Sequence, residues 1–454
     1  MDIYQFIVQR LGMPVVERVK GWPVRHYLAE LEKSQWWSPS EIRELQNVTL
    51  RRMVRHAYDT VRYYRELFDS CKLKPDDIRT VDDLPKIPIL SKETIKANYP
   101  AGMASNLFDE RHVVIDASSG STGEPVKYWT APEEKGFSWG CLYRMRRWTG
   151  WDLGKKYCNF TVVAEVAFKR YPILAAIEKK LTRVLILQAK EMNAHTVGDF
   201  VRRIQRFDPY MLKGHPSTCY YMARYMKEHD IKFQLPACIC NGETLYPFIR
   251  EYVEERFGCG IHDNYGSEGI QTAGQCHPRS LYHISAEAVI PEVVDEHGNP
   301  LPAGKEGRLL VTSLGKWAMP FLRYDTQDVA TLSDELCSCG RGLPLMQSVK
   351  GRIVDMSLSP SGKLISVYAF TPLFAALPEE VDSWQVVHES PSELRVKVVP
   401  RGGGLSSKTA KHIVDTAQAY VGDDVCVHLE IVDEIPMTPA GKRRFFISNC
   451  PYGR

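Results

Sequence analysis

The chain has 454 residues, and its 58 Lys and Arg residues against 55 Asp and Glu residues give a formal net charge of +3 at neutral pH. Apolar residues make up 44% and charged residues 25%, which are ordinary values for folded proteins and exclude the disordered, collagen-like and disulfide-miniprotein classes. Roughly 100–200 residues per domain predicts two or three domains, and the small net charge gives no electrostatic reason to expect a nucleic acid or a membrane as partner.

The cysteines and the hydropathy pattern indicate the compartment. Twelve cysteines are scattered between Cys71 and Cys450, without the dense spacing of a secreted scaffold. The first residues lack the pattern of a signal peptide, and no apolar run approaches the ~18 residues that cross a bilayer. We therefore expect a soluble, reduced, cytoplasmic protein, and the sequence leaves its oligomeric state open.

The first strong element is a helix that begins at a capping box. Ser38 is the cap, Pro39 occupies the first helical position and Glu41 follows three residues after the cap. Apolar residues from Ile42 to Tyr64 then recur near helical spacing. We predict one long helix with a single buried face.

The pattern of predicted secondary structure changes twice along the rest of the chain. Two strands are predicted at 112–116 and 126–130, and the section 135–260 mixes helical patterns with short apolar strands, which indicates an α/β fold. The last hundred residues read as a hairpin around 390–392, a helix at 406–420 and a strand at 425–432. They predict a separate α+β unit whose boundary lies near Gly351.

The loop between the first two strands reads Ser-Ser-Gly-Ser-Thr-Gly-Glu-Pro over residues 118–125. Glycines let the backbone approach an anion, and exposed N–H groups and hydroxyls can hold phosphate oxygens. It is not a Walker loop, because no Lys-Ser/Thr pair follows the second glycine and a strand comes next. Alone, the loop indicates either a phosphate site or a flexible hairpin turn.

Six short motifs lie in a fixed order along about 330 residues of the chain. They are Ser118-Ser119-Gly120-Ser121-Thr122-Gly123-Glu124-Pro125, Asn241-Gly242-Glu243-Thr244-Leu245, Asn264-Tyr265-Gly266-Ser267-Glu268, Arg323-Tyr324-Asp325-Thr326-Gln327-Asp328, Gly351-Arg352 through Asp355, and Pro439-Ala440-Gly441-Lys442. In this order they resemble the motifs of the adenylate-forming superfamily, which includes acyl-CoA synthetases, adenylation domains and luciferases.

Four further segments narrow the resemblance to one branch. They are His56-Ala57-Tyr58, Asp82-Asp83-Leu84-Pro85-Lys86-Ile87-Pro88, Gly214-His215-Pro216-Ser217 and Cys337-Ser338-Cys339-Gly340. These segments resemble the phenylacetate–CoA ligase and capsular-polysaccharide-biosynthesis branch. The resemblance covers nearly the whole chain. It implies a large multi-sheet domain over 1–350 for ATP and the carboxylate, and a small mobile α+β domain over 351–454.

The resemblance implies an ATP-dependent, AMP-forming ligase. A carboxylic acid attacks the α-phosphorus of ATP, pyrophosphate leaves, and the acyl group passes to a thiol, with coenzyme A as the expected acceptor. Two alternatives stay open. The activated acid could form an amide with an amine or amino acid, or load a carrier protein. The chain could also be a noncatalytic nucleotide-binding descendant.

Each motif residue receives a role from the resemblance. Phosphate contacts are implied for Ser118, Ser119, Gly120, Ser121, Thr122 and Gly123, and further nucleotide contacts for Gly242, Glu243, Thr244, Gly266 and Arg352. Tyr265 would stack on adenine, and Asp328 would accept hydrogen bonds from the ribose. Glu268 would bind Mg²⁺, and Lys442 would bridge ATP and the carboxylate. Taken singly, Tyr265 could be a core aromatic, Asp328 a turn cap and Lys442 part of a solvated run.

Some positions depart from the superfamily motifs. They are Glu124, Asn241, Glu268, Gln327 and Val354. Glu268 follows Tyr265 by three residues where the superfamily glutamate usually follows by four. Gln327 replaces a glycine before Asp328. The departures at Glu268, Gln327 and Val354 keep the noncatalytic alternative open.

A cysteine cluster could bind a metal. Cys276, His283, Cys337 and Cys339 would supply three thiolates and an imidazole, a closed set that zinc favours in structural sites. Some members of the resembling branch carry a structural zinc at such positions. His277 is a competing imidazole, and buried thiols without metal are the alternative. A zinc hydrolase is a poor alternative, because four protein ligands would leave no open position for water.

The substrate acid is indicated only by aromatic residues. Trp129, Phe137 and Trp139 fall in the region that follows the glycine-rich loop, where such folds bind the acyl group. Aromatic walls suit an aryl or otherwise apolar acid. The alternative is that each of them is a core residue.

Overall fold

The computed structural model describes residues 3–117, 126–161, 172–188, 196–267, 269–352, 356–361, 364–366, 370, 373–374, 376–377, 379–402, 404–436 and 444–450. The chain forms two compact units. The larger comprises Met1–Gly242 and Val253–Lys350, and the smaller comprises Glu243–Tyr252 and Gly351–Arg454. The sequence assigns the segment Glu243–Tyr252 to the large domain, but in the structure this segment groups with the smaller unit.

Helices occupy most of the first hundred residues, alternate with strands up to about residue 267, and are outnumbered by strands thereafter. They are α1 (Ile3–Ile7), a π-helical turn (Val8–Gly12), α2 (Met13–Lys20), α3 (Val24–Ser34), α4 (Pro39–Thr60), α5 (Arg62–Ser70), α6 (Lys92–Asn98), α7 (Pro132–Trp148), α8 (Pro172–Leu181), α9 (Val197–Phe207), α10 (Pro216–Glu228), α11 (Pro247–Phe257) and α12 (Ser407–Val421). None of the helices among the described residues is both long enough and apolar enough to cross a membrane.

The strands form two sheets before residue 353 and two after it. They are β1 (Val114–Ala117), β2 (Lys127–Thr130), β3 (Tyr157–Thr161), β4 (Val184–Gln188), β5 (Met211–Gly214), β6 (Ala237–Asn241), β7 (Ile261–Ser267), β8 (Ile270–Gln275), β9 (Tyr282–Ile284), β10 (Val289–Val294), β11 (Glu306–Ser313), β12 (Tyr324–Ser333), β13 (Leu345–Arg352), β14 (Met356–Leu358), β15 (Leu364–Ser366), β16 (Val381–Ser390), β17 (Glu393–Pro400), β18 (Cys426–Ile431) and β19 (Phe446–Ser448).

The capping box at Ser38 is confirmed, but the single long helix is wrong. The Ser38 hydroxyl accepts a hydrogen bond from the Glu41 N–H, and the Glu41 carboxylate accepts one from the Ser38 N–H. Helix α4 ends at Thr60, because Val61 adopts an extended conformation with φ −115° and ψ 114°. Tyr64 therefore lies on the separate helix α5. A β-branched valine favours such an extended backbone.

The large sheet has eleven strands in the order β10-β11-β12-β13-β9-β8-β7-β6-β5-β3-β4. Strands β4, β3, β5, β6 and β7 are parallel, whereas β7 pairs with β8, and β8 with β9, in antiparallel fashion. In the parallel part, the carboxyl ends of neighbouring strands meet at one edge, which is where ligands bind in open α/β sheets. Strand β3 lies between β4 and β5, so the strand order reverses there.

The smaller unit has the predicted α+β composition. Strand β16 pairs with β17 in antiparallel fashion, and β18 and β19 flank this pair in parallel. The predicted hairpin, helix and final strand are all present, with Ser406 as the N-cap of α12. The predicted class is therefore confirmed, with a large multi-sheet α/β unit and a smaller α+β unit.

Candidate active site

Two predicted nucleotide motifs and the branch-specific segment that begins at Gly214 lie on neighbouring parallel strands. Gly214 of β5 lies opposite Cys240 of β6, and Asn241 of β6 lies opposite Asn264 of β7. The His215 ring nitrogen Nδ1 lies 2.9 Å from the Asn241 carbonyl oxygen. The motifs that begin at residues 214, 241 and 264 are therefore aligned at one edge of the sheet.

Tyr265 and Asp328 are joined by a short hydrogen bond. The Tyr265 hydroxyl donates to the Asp328 Oδ2 atom at 2.5 Å, although the residues lie 63 positions apart. Both side chains are half-buried. A β-bulge lies between Tyr265 and Gly266, and bulges of this kind redirect side chains beside active sites. This hydrogen bond therefore joins two residues from separate motifs.

Gly266 is constrained by a close backbone approach. A Cβ atom at this position would lie 2.7 Å from the Ile270 carbonyl oxygen. A side chain here would force the backbone of β7 and β8 apart, so glycine is required for the turn that follows Tyr265.

The turn before Asp328 explains how Gln327 replaces a glycine. Gln327 has φ +65°, a backbone conformation that favours glycine. The Asp325 carboxylate accepts a hydrogen bond from the Gln327 N–H at 2.8 Å. The Lys92 Nζ atom donates to the Gln327 side-chain oxygen at 3.1 Å. A non-glycine residue therefore occupies this position, and the hydrogen bonds to Asp325 and Lys92 compensate for the strain.

Arg323, the first residue of the same motif, is a buried structural residue. Its Nε atom lies 3.1 Å and 3.2 Å from the two carboxylate oxygens of Glu292. Its Nη1 atom donates to the carbonyl of Ile87 at 2.9 Å and its Nη2 atom to that of Gly298 at 3.0 Å. Burial raises the pKa of Glu292, and the charge of Arg323 opposes this shift. Arg323 therefore anchors the Asp82–Pro88 segment to the sheet.

A buried acid and lysine near this edge were missed by the sequence analysis. The Glu134 carboxylate accepts hydrogen bonds from the N–H groups of Trp317 and Ala318, each at 2.6 Å. The Lys316 Nζ atom lies 3.9 Å from the ring centroid of Tyr128. Burial raises the pKa of Glu134, and the charge of Lys316 opposes the rise.

This pair lies close to the turn between β7 and β8. Gly269 has φ +77°, and a Cβ atom on it would lie 2.9 Å from the Tyr128 hydroxyl, so Tyr128 packs directly on that turn. The available sequence signal was that Lys316 is the one charged residue of segment 314–322. Tyr128 therefore contacts both Lys316 and the turn.

Several predicted residues lie outside the described part of the chain or can be described only in part. Residues 118–123, Glu268 and Lys442 are among those the structure does not describe, and so is Val354 in the expected hinge. Arg352 is placed at the end of β13 by its backbone alone. Gly242 belongs to the larger unit, whereas Glu243 and Thr244 belong to the smaller one.

The expected aromatic wall does not form. Trp129 packs in the cluster around α4 and α5, Phe137 in a cluster with Leu309 and Val311, and Trp139 against a third cluster. The three side chains therefore serve three separate parts of the core. The spacing of aromatics along a strand and a helix did not show that they point in different directions.

The structure brings Cys276, His283, Cys337 and Cys339 together. Cys276 directly follows β8, His283 lies on β9, and the other two lie between β12 and β13. The four ligand atoms all lie within 4.8 Å of one another. The Sγ atoms of Cys276 and Cys337 are 3.6 Å apart, and Cys339 Sγ lies 3.2 Å from His283 Nε2.

These distances match a tetrahedral zinc site. Two sulfurs bound to zinc at about 2.3 Å in a tetrahedron are about 3.8 Å apart, close to the observed separation of Cys276 and Cys337. His277, the competing imidazole, is not a member of the cluster. The residues therefore fit a closed structural metal site.

The local environment sets the protonation of these groups. Burial, together with the charge of Arg341, lowers the pKa of His283 to about 4, so its imidazole is neutral at pH 7. Burial, with Cys337 adding to the effect, raises the pKa of Cys276 to about 12. Burial works against ionisation of Cys339, but hydrogen bonds from Arg341 outweigh it and lower the Cys339 pKa. A neutral imidazole is the form that binds a metal.

The sequence is similar to ligases and to the protein CapK. It is 30% identical over 358 residues to the phenylacetate–coenzyme A ligase of Thermus thermophilus, covering 76% of this chain and 78% of that protein. It is 22% identical over 429 residues to the protein CapK of Staphylococcus aureus, covering 94% of this chain and 93% of that protein. The family model for the CapK C-terminal domain matches residues 358–449.

The fold has a counterpart among solved structures. The crystal structure of a 2-hydroxyisobutyryl-CoA ligase in the postadenylation state, in complex with R3-HIB-AMP, matches with a TM-score of 0.73 at 17% identity. The match covers 91% of each chain. The sequence similarity and the shared fold together show that the chain belongs to the adenylate-forming superfamily, in the phenylacetate–CoA ligase and CapK branch, and is an AMP-forming carboxylate ligase.

Proposed function

We propose that this ligase activates a carboxylic acid with ATP and transfers the acyl group to the thiol of coenzyme A. A carboxylate oxygen attacks the α-phosphorus and pyrophosphate leaves. The thiolate sulfur then attacks the acyl carbonyl carbon and AMP leaves. The observation that carries the proposal is the hydrogen bond between Tyr265 and Asp328 at the edge where the nucleotide motifs meet. Relatives named as phenylacetate–coenzyme A ligases support the acceptor.

Tyr265 and Asp328 bind the nucleoside in this proposal. Tyr265 stacks on adenine, while its hydroxyl keeps the Asp328 carboxylate oriented. A carboxylate can accept about four hydrogen bonds, so the bond from Tyr265 is compatible with bonds from the ribose hydroxyls. Arg352 adds a ribose contact, and the backbone around Gly242 and Gly266 borders the base together with Glu243 and Thr244.

The phosphates and the metal are bound by residues outside the described part of the chain. Residues 118–123 hold the leaving phosphates with backbone N–H groups and hydroxyls. Glu268 binds Mg²⁺, a hard cation that prefers oxygen ligands. Lys442 bridges the ATP and carboxylate oxygens. These groups offset the repulsion between an anionic acid and a polyanionic nucleotide.

The substrate we propose is an aryl or otherwise apolar acid. The names of the phenylacetate–coenzyme A ligases support this class. Trp129 is the remaining aromatic candidate, since it lies on β2, directly after the glycine-rich loop. We expect Trp129→Ala to weaken the binding of aryl acids while leaving the KM for ATP unchanged. An unchanged acid profile in this variant would remove Trp129 from the pocket.

The acceptor is tested by product analysis. The protein is incubated with ATP, Mg²⁺, coenzyme A and a panel of aryl, fatty and amino acids, and AMP and acyl-CoA are measured by mass spectrometry. We expect equal amounts of the two products with one acid class. If AMP forms only when an amine or a carrier protein replaces coenzyme A, the proposed acceptor is wrong and amide formation or carrier loading replaces it.

We also propose that the cluster of Cys276, His283, Cys337 and Cys339 holds a structural zinc. Such an ion would fix the loop before β13 to strands β8 and β9. The four-residue donor set supports this, because zinc prefers closed sites of thiolate and imidazole. Elemental analysis of protein purified without added metal should find one zinc per chain, and absence of zinc after reconstitution would refute the site.

A further inference from the structure

The N-terminal helical segment has an unusual outer surface. The exposed side chains of residues 3–20, here called the N-terminal face, are all apolar apart from two arginines. They are Ile3, Phe6, Ile7, Arg10, Leu11, Val15, Arg18 and Val19. The exposed fractions of its apolar members range from 42% at Ile7 to 82% at Ile3. A surface helix normally exposes polar residues, and a contiguous apolar surface marks an interaction site.

The apolar residues form a continuous row. Five of them recur every four residues, which places them along one side of the helical segment. They are Ile3, Ile7, Leu11, Val15 and Val19. The opposite side is used for folding, since Val8, Met13 and Val16 are buried. The row extends over about 25 Å at 1.5 Å per helical residue.

The charge of this region is entirely basic once its acids are paired. Within residues 3–20, Glu17 accepts a hydrogen bond from Arg25 Nε at 2.8 Å. In the adjacent helix α8, Glu178 forms an ion pair with Lys20 at 2.5 Å. These are the acidic residues that the two described segments contain. Neither is available to balance Arg10 and Arg18.

Helix α8 extends the basic surface. It lies against α1, because the Tyr4 hydroxyl donates to the Lys180 carbonyl at 3.0 Å. Lys179 and Lys180 are exposed, and Ile177 is 49% exposed. The N-terminal face and this part of α8 therefore combine apolar side chains with four exposed cations.

We propose that the N-terminal face docks on an anionic membrane surface and lies in its interface. An apolar row with cations, and with no unpaired acid among its described residues, is complementary to hydrocarbon beneath anionic headgroups. A second copy is a poorer partner, because symmetric contact of the same face would bring arginines against arginines. The net charge of the whole chain gave no reason to expect a membrane partner. It averages over all charged residues and therefore does not show this local basic surface. Surface docking requires no membrane-crossing helix.

Flotation of the full-length protein with vesicles tests the proposal. One set contains phosphatidylcholine alone, and the other contains equal parts of phosphatidylcholine and phosphatidylglycerol. We expect binding to the anionic vesicles at least about tenfold stronger than to the neutral ones, and weaker binding at high salt.

Matched variants separate the apolar and the charged contributions. Leu11→Ser combined with Val15→Ser should weaken binding to anionic vesicles by about tenfold or more. Arg10→Gln combined with Arg18→Gln should lower it by about 25-fold, since each cation near such a surface contributes about fivefold. Leu107→Ser is the control, because Leu107 is 70% exposed away from this face. All variants should keep the wild-type melting temperature and ligase activity.

Four outcomes would overturn the proposal. One is the absence of vesicle binding by the wild-type protein. A second is equal binding by the wild type and both double variants. The third is a dimer in sedimentation that the Leu11/Val15 variant abolishes without any vesicle binding, because this result would assign the face to a second copy. An acidic protein partner that binds the face where vesicles do not would overturn it equally.

Discussion

The sheet edge that carries Tyr265 and Asp328 and the cluster of Cys276, His283, Cys337 and Cys339 are built in opposite ways. At the edge, two half-buried residues share one hydrogen bond and remain accessible to a ligand. In the cluster, four donor atoms lie within 4.8 Å of one another, so they can bind one ion together. The first arrangement suits turnover of a ligand, and the second suits a permanent structural role.

Because the two regions differ in this way, we predict that variants of the sheet edge and variants of the cluster affect different quantities. Variants of Tyr265 or Asp328 should change the rate of adenylation and leave the free energy of unfolding unchanged. Variants in the cluster, and at the buried residue Arg323, should change the free energy of unfolding. They should leave the chemistry of the folded protein intact.

The largest effect is expected at Arg323, which belongs to a nucleotide motif but supports the scaffold. Arg323→Met should lower the free energy of unfolding by about 3–5 kcal/mol, because it leaves the buried Glu292 carboxylate without its cation. Glu292→Gln added to this variant should recover part of the loss. Chemical denaturation measures both, and a loss of activity at unchanged stability would assign Arg323 to the ligand instead.

The same variant gives a pH test. Without Arg323, burial alone acts on Glu292 and raises its folded-state pKa above the unfolded value. A raised carboxyl pKa makes the folded state less stable at neutral pH and removes the penalty as the pH falls and the group is protonated. The stability difference between variant and wild type should therefore shrink between pH 7 and pH 5.

Lys442→Ala should reduce adenylation by about 10²–10³-fold, the range for loss of one preorganised charge in a transition state. The melting temperature should not change. Lys411→Ala, an exposed lysine on α12, is the matched control and should retain wild-type rates. Comparable rates in the two variants would contradict the role of Lys442.

Cys339→Ser should lower the thermal stability of the protein. Loss of one ligand should release zinc and lower the thermal midpoint by about 5 °C or more. ATP–pyrophosphate exchange per folded molecule should stay within about twofold of wild type. Cys71→Ser, at an exposed cysteine outside the cluster, is the control. An unchanged midpoint in Cys339→Ser would mean that the cluster has no structural function.

Asp328→Asn is expected to have the smallest of these effects. The loss of a charged hydrogen-bond acceptor should lower kcat/KM for ATP by about 10- to 100-fold. Asp334→Asn, at an exposed aspartate on the loop after β12, is the control. If both variants keep the wild-type kcat/KM, Asp328 is not a ribose ligand.

Local sequence patterns predicted the parts of the molecule that depend on local chemistry. The capping box at Ser38 and the strands and helix of the smaller unit follow from hydrogen-bonding and periodicity within a few residues. The motif order identified the family because nucleotide-binding turns recur with short, specific spacing. The four-residue cysteine and histidine set was also anticipated, although only the structure shows its members in contact.

Features that depend on long-range packing were not predictable. Arg323 is buried against Glu292, Ile87 and Gly298 because three distant segments meet there. The separation of the expected aromatic wall into three clusters has the same origin. The break at Val61 depends on a single residue within a pattern that is otherwise helical.

ATP–pyrophosphate exchange measures adenylation. Purified protein is incubated with ATP, Mg²⁺, labelled pyrophosphate and one acid at a time from an aryl, fatty and amino acid panel, without coenzyme A. We predict Mg²⁺-dependent exchange with one class of acid, and at least tenfold slower exchange in Asp328→Asn. Measurable ATP binding with no exchange for any acid would contradict the account.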